Sequence, residues 1–370
     1  MSPQLNSIGK NDRMHFKQED AAMLDFSCDY LEGMHPEILK RLSSENLKKH
    51  PGYGLDSITS EAAAHICKAC NAPDSDVFFL AGGTQTNATV ISAMLESWQG
   101  VIAAASGHIS VHEAGAIEYG GHKVLNIPSE DGKIRAFELA KYLQKEASDG
   151  NRDHMVHSGL VYISQPTEYG TLYSKAELQA ISAVCHKAGL PLYMDGARLL
   201  YALGSAKNDL SLSDIAKLCD VFYIGGTKAG TLYGEAVIGQ KGKLDHFFTI
   251  MKQHGALLAK TWAVSLQFDV LFSDGLYESI GTAAVSKADR IRKALDDFGY
   301  EQAIDSPTNQ IFIKLENSVY ERLSKEIGMS FWEEPDESHT TVRIATSWTS
   351  TDNDVDSLIK VLSEQATRKQ

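Results

Sequence analysis

From Asp76 onward, short apolar runs alternate with segments whose apolar positions recur every three to four residues. DVFFLA (76–81), VIAAA (101–105), KVLNIP (123–128), LVYIS (160–164), LPLYMD (190–195) and VFYIG (221–225) read as strands, and EAVIG (235–239) as one more that pairs nearby. Several are apolar at consecutive positions, the mark of a strand covered on both faces. Helices are predicted from about Thr84, after His108, near Ala136 to Glu146, and over SKAELQAISAVCHKAG (174–189). In the last, Ser174 and Glu177 are spaced for a capping box, Leu178, Ile181, Val184, Cys185 and Ala188 share a face, and Gly189 supplies the stop. Strand and helix in turn predict an α/β fold, a mostly parallel central sheet flanked by helices.

After about residue 250 the pattern changes. Helical periodicity runs from Leu257 to Phe298, with Leu276, Ile280, Ala284, Ile291, Leu295 and Phe298 on one stripe. IFIKL (311–315), VRIATSW (342–348) and a final helix carrying Val355, Leu358, Ile359 and Leu362 then make a smaller C-terminal α+β domain. The expected organisation is a polar, mobile lead-in at 1–25, an N-terminal segment at 26–55, a large domain at 56–250 and a small one at 251–370. A chain of 370 residues has room for that division. No repeat or low-complexity tract interrupts it.

Composition narrows the partners. Asp and Glu number 48 against 35 Lys and Arg, a formal charge of −13, which argues against a general binder of nucleic acid or anionic membrane. No apolar run is long enough to span a bilayer, and the start lacks a secretory signal. The cysteines are sparse and odd in number, 5 in all, which fits a reducing cytoplasm. Cys67 and Cys70 form a CxxC, a redox or half-zinc pattern set in what otherwise reads as an ordinary helix.

Chemistry-bearing residues gather at strand ends, where open α/β sheets bind ligands. GGTQTN (82–87) follows a strand and opens a helix, so it suits either a phosphate on free N–H groups or a plain N-cap. Asp195 ends an apolar strand, and its partner is either Arg198 or a protonated ring nitrogen. His108 and His112 stand four apart, as metal ligands on one helix face or as an aromatic cover for a planar cofactor. Lys228, in YIGGTKAGTLYGEAVIG (223–239), sits between two buried strands among glycines that permit a close backbone approach. A phosphate cradle, an acid for a ring nitrogen, a cover and an amine nucleophile are the parts needed to hold pyridoxal 5′-phosphate as a Schiff base.

Taken together, these segments resemble the threonine aldolase and β-eliminating lyase family of pyridoxal-phosphate enzymes. GGTQTN looks like its phosphate segment, HISVHEAGA (108–116) its stacking-histidine segment, DGARL (195–199) its aspartate–arginine motif and TKAG (227–230) its Schiff-base segment. HPGYG (50–54) and VRIATSW resemble its tyrosine-bearing loop and its carboxylate-binding arginine segment. The matches keep the family order over roughly residues 26–365.

The resemblance implies the aspartate-aminotransferase-like fold, PLP-dependent fold type I. It implies that Lys228 forms the cofactor linkage, Asp195 faces the ring nitrogen and His108 stacks on the ring. Gly83 and Thr84 would hold the phosphate with Thr227 assisting, Arg198 would meet the ring's phenolic oxygen, and Arg343 the substrate carboxylate. Tyr53 and Lys260, and Lys252 with them, would reach a neighbouring subunit's site in a homodimer or homotetramer. One departure matters: Glu168 stands in QPTEYG (165–170) where the family usually carries a histidine, as a general base or as a hydrogen-bond partner for a different side chain. SCD (27–29) departs from the family as well. The implied activity is cleavage of a β-hydroxy-α-amino acid to glycine and an aldehyde. β-Elimination, aminotransfer and a non-catalytic binding protein on the same fold are the rivals.

Overall fold

The computed structural model describes residues 24–367. The lead-in expected at 1–25 therefore lies outside the described residues, apart from Leu24 and Asp25. Those two form β1 (Leu24–Asp25). Seven strands follow: β2 (Asp76–Leu80), β3 (Gln99–Ala104), β4 (Lys123–Ile127), β5 (His157–Ser164), β6 (Leu192–Asp195), β7 (Val221–Gly225) and β8 (Glu235–Gly239). They form one sheet in the order β2-β8-β7-β6-β5-β3-β4. Every pairing from β7 to β4 is parallel, whereas β8 runs antiparallel to both β7 and β2. The sheet is thus mostly parallel, as expected.

Period-two alternation sends successive side chains to opposite faces. Ile102, Val161, Ile163, Leu192, Met194, Phe222 and Ile224 enter one core with the helices Ser57–Ala69, Lys175–Ala188 and Thr261–Ser273. Val101, Leu160, Tyr162, Tyr193, Val221 and Tyr223 enter the other, beneath Val90 and Ile91 of the helix Gly83–Met94. Both faces being covered explains why the strands read as continuous apolar runs.

A second sheet contains β9 (Glu301–Ile304), β10 (Gln310–Glu316), β12 (Ser330–Asp336) and β13 (His339–Ala345), in the order β12-β13-β10-β9. The short β11 (Ile327–Gly328) pairs with β1, so the N-terminal segment is stitched to this C-terminal unit. Phe26 joins its core beside Ile311, Ile313, Val342 and Leu358. The helical stretch expected from Leu257 to Phe298 is two helices, Thr261–Ser273 and Leu276–Asp297, parted by Gly275 at φ +71°. Ile280 and Ala284 of the second helix pack in the large core, whereas Ile291 and Leu295 pack in the small one. That single helix ties the two units together. Among the described residues, no helix is long and apolar enough to cross a membrane.

The capping box read from Ser174 and Glu177 is present. The Ser174 hydroxyl accepts the Glu177 N–H at 3.3 Å, Glu177 Oε2 accepts the Ser174 N–H at 2.8 Å, and Gly189 closes the helix at φ +69°. Ser174→Ala should cost about 1 kcal/mol. Urea unfolding tests this as a lowered midpoint with an unchanged slope.

Candidate active site

Because β2, β3, β5, β6 and β7 point the same way, their carboxyl ends share one sheet edge, and β8 brings its first residue there instead. A cavity of about 290 Å³ opens at that edge. Gly83 and Thr84 line it from beyond β2, His108 from beyond β3 and Glu168 from beyond β5. Asp195 and Arg198 come from the end of β6, Thr227 and Lys228 from the end of β7. An adjoining cavity of about 380 Å³ shares Tyr30, His108, Glu168, Arg198 and Lys228, and adds His112 from the turn after β3 and Trp332 and Arg343 from the small unit. A roomier cleft of about 720 Å³ lies by Lys133 and Lys207, but those cations already pair with Glu177 and Asp305.

Asp195 is 4% exposed and is solvated by the protein. Its Oδ2 accepts the Tyr162 hydroxyl at 2.7 Å and the Asn87 amide at 3.0 Å. Its Oδ1 accepts the Tyr223 hydroxyl at 2.5 Å and the Ala197 N–H at 2.9 Å. Tyr162, Tyr193 and Tyr223 all lie on the face of the sheet toward Asn87, and Tyr193 fixes that amide by donating to its Oδ1 at 2.8 Å. Burial pushes the carboxyl up, but the His108 charge, the two tyrosine hydroxyls and the Ala197 N–H outweigh it, so Asp195 stays ionised below its usual range.

The second Asn87 amide proton goes to Glu113 Oε1 at 2.8 Å, and the same oxygen meets His108 Nδ1 at 2.7 Å. A continuous chain therefore joins the strand-end acid to the histidine. Glu113 Oε2 is buried without a partner among the described residues, and burial raises that carboxyl despite His108 and Asn87. Burial pulls the His108 imidazole down, but Glu113, Glu168 and Asp195 together lift it above its usual value. His112 follows on the same short turn, its ring 5.6 Å from that of His108.

The glycines around Lys228 serve chain packing. A Cβ on Gly225 would stand 2.3 Å from the Ala197 carbonyl oxygen, so the DGAR and GGTK turns can nest only with glycine there. Gly234 has φ +126°, which reverses the chain into β8. Lys228 is partly buried beside the Tyr30 ring, with Nζ 5.7 Å from its centroid. Burial first, and then the Arg198 charge, lowers its pKa toward the free amine, while Asp29, Glu235 and Glu168 oppose this. The Thr227 hydroxyl donates to Glu235 Oε1 at 2.7 Å.

Arg198 does not pair with Asp195. Its Nε donates to Asp29 Oδ2 at 2.7 Å and its Nη2 to Asp29 Oδ1 at 3.0 Å, a bidentate pair to which Asn309 adds a bond at 2.9 Å. Despite the burial penalty, these partners hold Asp29 down at about 2. Arg343, on β13, donates to Gln310 Oε1 at 3.2 Å, the Ser27 carbonyl at 3.2 Å and Ser330 Oγ at 3.3 Å. Its Nε is buried with no partner among the described residues, and its bonds go to neutral acceptors. Glu168 projects from a loop pinned where Gln165 accepts the Tyr173 N–H at 2.9 Å and donates to the Tyr173 carbonyl at 3.2 Å.

Tyr53, Lys252 and Lys260 lie outside both cavities. The Tyr53 N–H donates to the Ala259 carbonyl at 3.2 Å, Lys252 Nζ sits 4.6 Å from the Tyr53 ring centroid, and Tyr53 is 41% exposed. The CxxC cysteines are free, and burial pushes the Cys70 thiol up to about 12.

Sequence reasoning missed Asn87, Glu113, Tyr162, Tyr223 and Glu235. The tyrosines carried a signal: each occupies the same phase of a strand that ends at the site. Asp29 falls in SCD (27–29), the segment read as a departure from the family, whereas Tyr30 carried no signal.

Residues 25–319 match the β-eliminating lyase family. The chain belongs to that family. This lyase is 32% identical over 305 residues to a low specificity L-threonine aldolase of Pseudomonas sp. (strain NCIMB 10558), covering 80% of this chain and 86% of the relative. A low specificity L-threonine aldolase of Pseudomonas aeruginosa is 33% identical over 256 residues, covering 66% of this chain and 72% of its own. The solved threonine aldolase of Leishmania major superposes with a TM-score of 0.89 at 42% identity, over 92% of this chain and 99% of that one. Thermus thermophilus aspartate aminotransferase, 13% identical with a TM-score of 0.69 over 93% of this chain and 91% of its own, shares the fold.

Family and fold imply dependence on pyridoxal phosphate. The lyase's residues suit that group. The helix Gly83–Met94 starts at Gly82 without a side-chain cap, and its first turn lines the cavity, which leaves unsatisfied N–H groups for a phosphate. An ionised carboxylate and a lysine share the same walls.

Asp29→Asn should strip Arg198 of its ionised partner and cost about 3–5 kcal/mol. The carboxyl is held below its unfolded value, so its contribution is complete above pH ~4 and lost as pH falls through the folded value. Melting temperatures measured down the acid limb should show a shallower decline in the variant.

Proposed function

We propose that this lyase cleaves a β-hydroxy-α-amino acid, threonine or allo-threonine in kind, between Cα and Cβ, releasing glycine and an aldehyde. The observation that carries the reading is the meeting of Lys228, Asp195, His108, Glu168 and Arg198 around one cavity with Arg343 in the next, on a chain 32% identical to a threonine aldolase over most of its length. Pyridoxal phosphate, when bound, supplies an aldehyde for the amines and a ring that accepts the electron pair of the broken bond. Gly83 and Thr84 at the uncapped helix start would hold its phosphate, with Thr227 nearby.

Each protein group then has a defined task. Lys228, its pKa lowered by burial and by Arg198, is available as the nucleophilic amine. Asp195 stays anionic because the His108 charge and four hydrogen-bond donors stabilise it, so it would stabilise positive charge on a ring nitrogen. His108, braced by Glu113, would cover the ring. Arg198, locked by Asp29, would offer a fixed cation to the phenolic oxygen. Arg343, free of protein carboxylate partners among the described residues, takes the substrate carboxylate. Glu168, lining both cavities, accepts the proton of the β-hydroxyl.

Tyr53, Lys252 and Lys260 gather on a surface away from their own cavities, which favours a homodimer or homotetramer in which they serve a neighbour's site. The free cysteines favour a reducing, cytoplasmic setting.

Product analysis tests the reaction: glycine and aldehyde support aldol cleavage, whereas pyruvate and ammonia would assign β-elimination. Borohydride reduction should tag Lys228 with the cofactor, and Lys228→Ala should lose both tag and turnover; a tag at another residue refutes the assignment. Glu168→Gln should lower kcat about a hundredfold or more while the cofactor remains bound. An unaffected kcat removes Glu168 as the base.

A further inference from the structure

β8 runs against its neighbours, so the sheet delivers its first residue, Glu235, to the site edge. That side chain lines the cavity of Lys228, is 3% exposed, and has no task in the reaction described above. Its Oε2 accepts the Gly226 N–H at 3.0 Å and its Oε1 the Thr227 hydroxyl at 2.7 Å. The Gly234 carbonyl already holds the same loop, accepting N–H groups from Gly226 at 3.0 Å and Thr227 at 3.1 Å. The Gly234 N–H in turn donates to the Thr227 hydroxyl oxygen at 3.2 Å. A neutral acceptor would complete this knot at far lower desolvation cost than a buried carboxylate. The charge itself therefore needs a use.

Lys228 supplies one. Facing Glu235 are Lys228 and Thr227 on the adjoining loop, Asp195 at the end of β6, and the hydroxyls of Tyr193, Tyr223 and Tyr277. Of these, Lys228 alone is a cation. We propose that Glu235 is a positioning residue that fixes the Thr227–Lys228 turn and, by gaining or losing its own proton, sets the charge on the Lys228 nitrogen. This rests on the pyridoxal-phosphate reading. Burial raises the Glu235 carboxyl to about 7, with Thr227, Lys228 and Gly226 pulling it back and Asp195 adding to the rise. The carboxyl thus changes charge near neutral pH. A raised carboxyl is neutral below its folded value and anionic above it. Once anionic, it stabilises a cationic Lys228 nitrogen and moves the deprotonation of that nitrogen to higher pH.

The test uses the cofactor-loaded enzyme and reads absorbance. The band of the lysine-linked cofactor is titrated with pH in wild type and in Glu235→Gln, which keeps an acceptor and removes the charge. The midpoint should fall by about one pH unit in the variant, a tenfold change in the protonation ratio. An unchanged midpoint overturns the proposal but leaves the function reading intact, because the wild-type band is still present. Failure of wild type to form a reducible link at Lys228 removes the function reading itself. A second measurement needs neither the Gln variant nor the cofactor. The buried carboxyl stretch is followed by infrared against pH in apo wild type and apo Lys228→Ala. Loss of the lysine should raise the carboxyl midpoint, and an identical midpoint refutes the coupling.

Discussion

A carboxylate at the buried end of a strand must be solvated by the protein itself, and the rest of the centre is arranged around that demand. Asp195 meets it with two tyrosine hydroxyls, one amide and one backbone N–H. Each donor comes from a different element: β5, β7, the helix Gly83–Met94 and the turn after β6. Sheet register matters because Tyr162 pairs with Tyr193 and Ser164 with Asp195 across β5 and β6. A one-residue slip of either strand would turn the tyrosine away from the acid. The hydrogen bonds that keep Asp195 charged thus also fix the relative positions of strands whose ends carry Lys228 and Glu168.

The same logic extends outward through shared donors. Asn87 gives one amide proton to Asp195 and the other to Glu113, and Glu113 passes the constraint to His108. Arg198 is set from the opposite direction, by Asp29, which Asn309 of the small unit also holds. The N-terminal segment therefore spans both units: Phe26 lies in the small core, Asp29 clamps the arginine beyond β6, and Tyr30 lies against Lys228. That segment makes the two units one site.

Local signals carried the sheet and the strand-end residues into view, because a buried parallel strand writes itself as an apolar run and a ligand edge as glycine, hydroxyl and charge at its end. Ser174, Glu177 and Gly189 were legible for the same reason: caps are read within a few residues of each other. β12, with exposed Glu333, Glu334 and Asp336, has no apolar run to betray it and is held by pairing with β13. The salt-bridge alternative for Arg198 failed for a similar reason. Its true partner is 169 residues away, and nothing local distinguishes the two aspartates.

The glycines beside Lys228 illustrate a sharper limit. Their crowding suggested room for a ligand, yet Gly225 is needed because the Ala197 carbonyl occupies the space a Cβ would take. Close packing of two turns and close approach of a cofactor leave the same trace in sequence, and here both turns also line the cavity. Overall charge misleads in a comparable way. A formal −13 argues against anionic partners at long range. Inside, Arg198, Arg343 and Lys228 face adjoining cavities, and Arg343 meets only neutral acceptors among the described residues. Surface charges are screened over about 8 Å at physiological salt. A carboxylate or phosphate within hydrogen-bonding distance of those buried cations interacts through a medium of lower dielectric, so the local cations decide its binding.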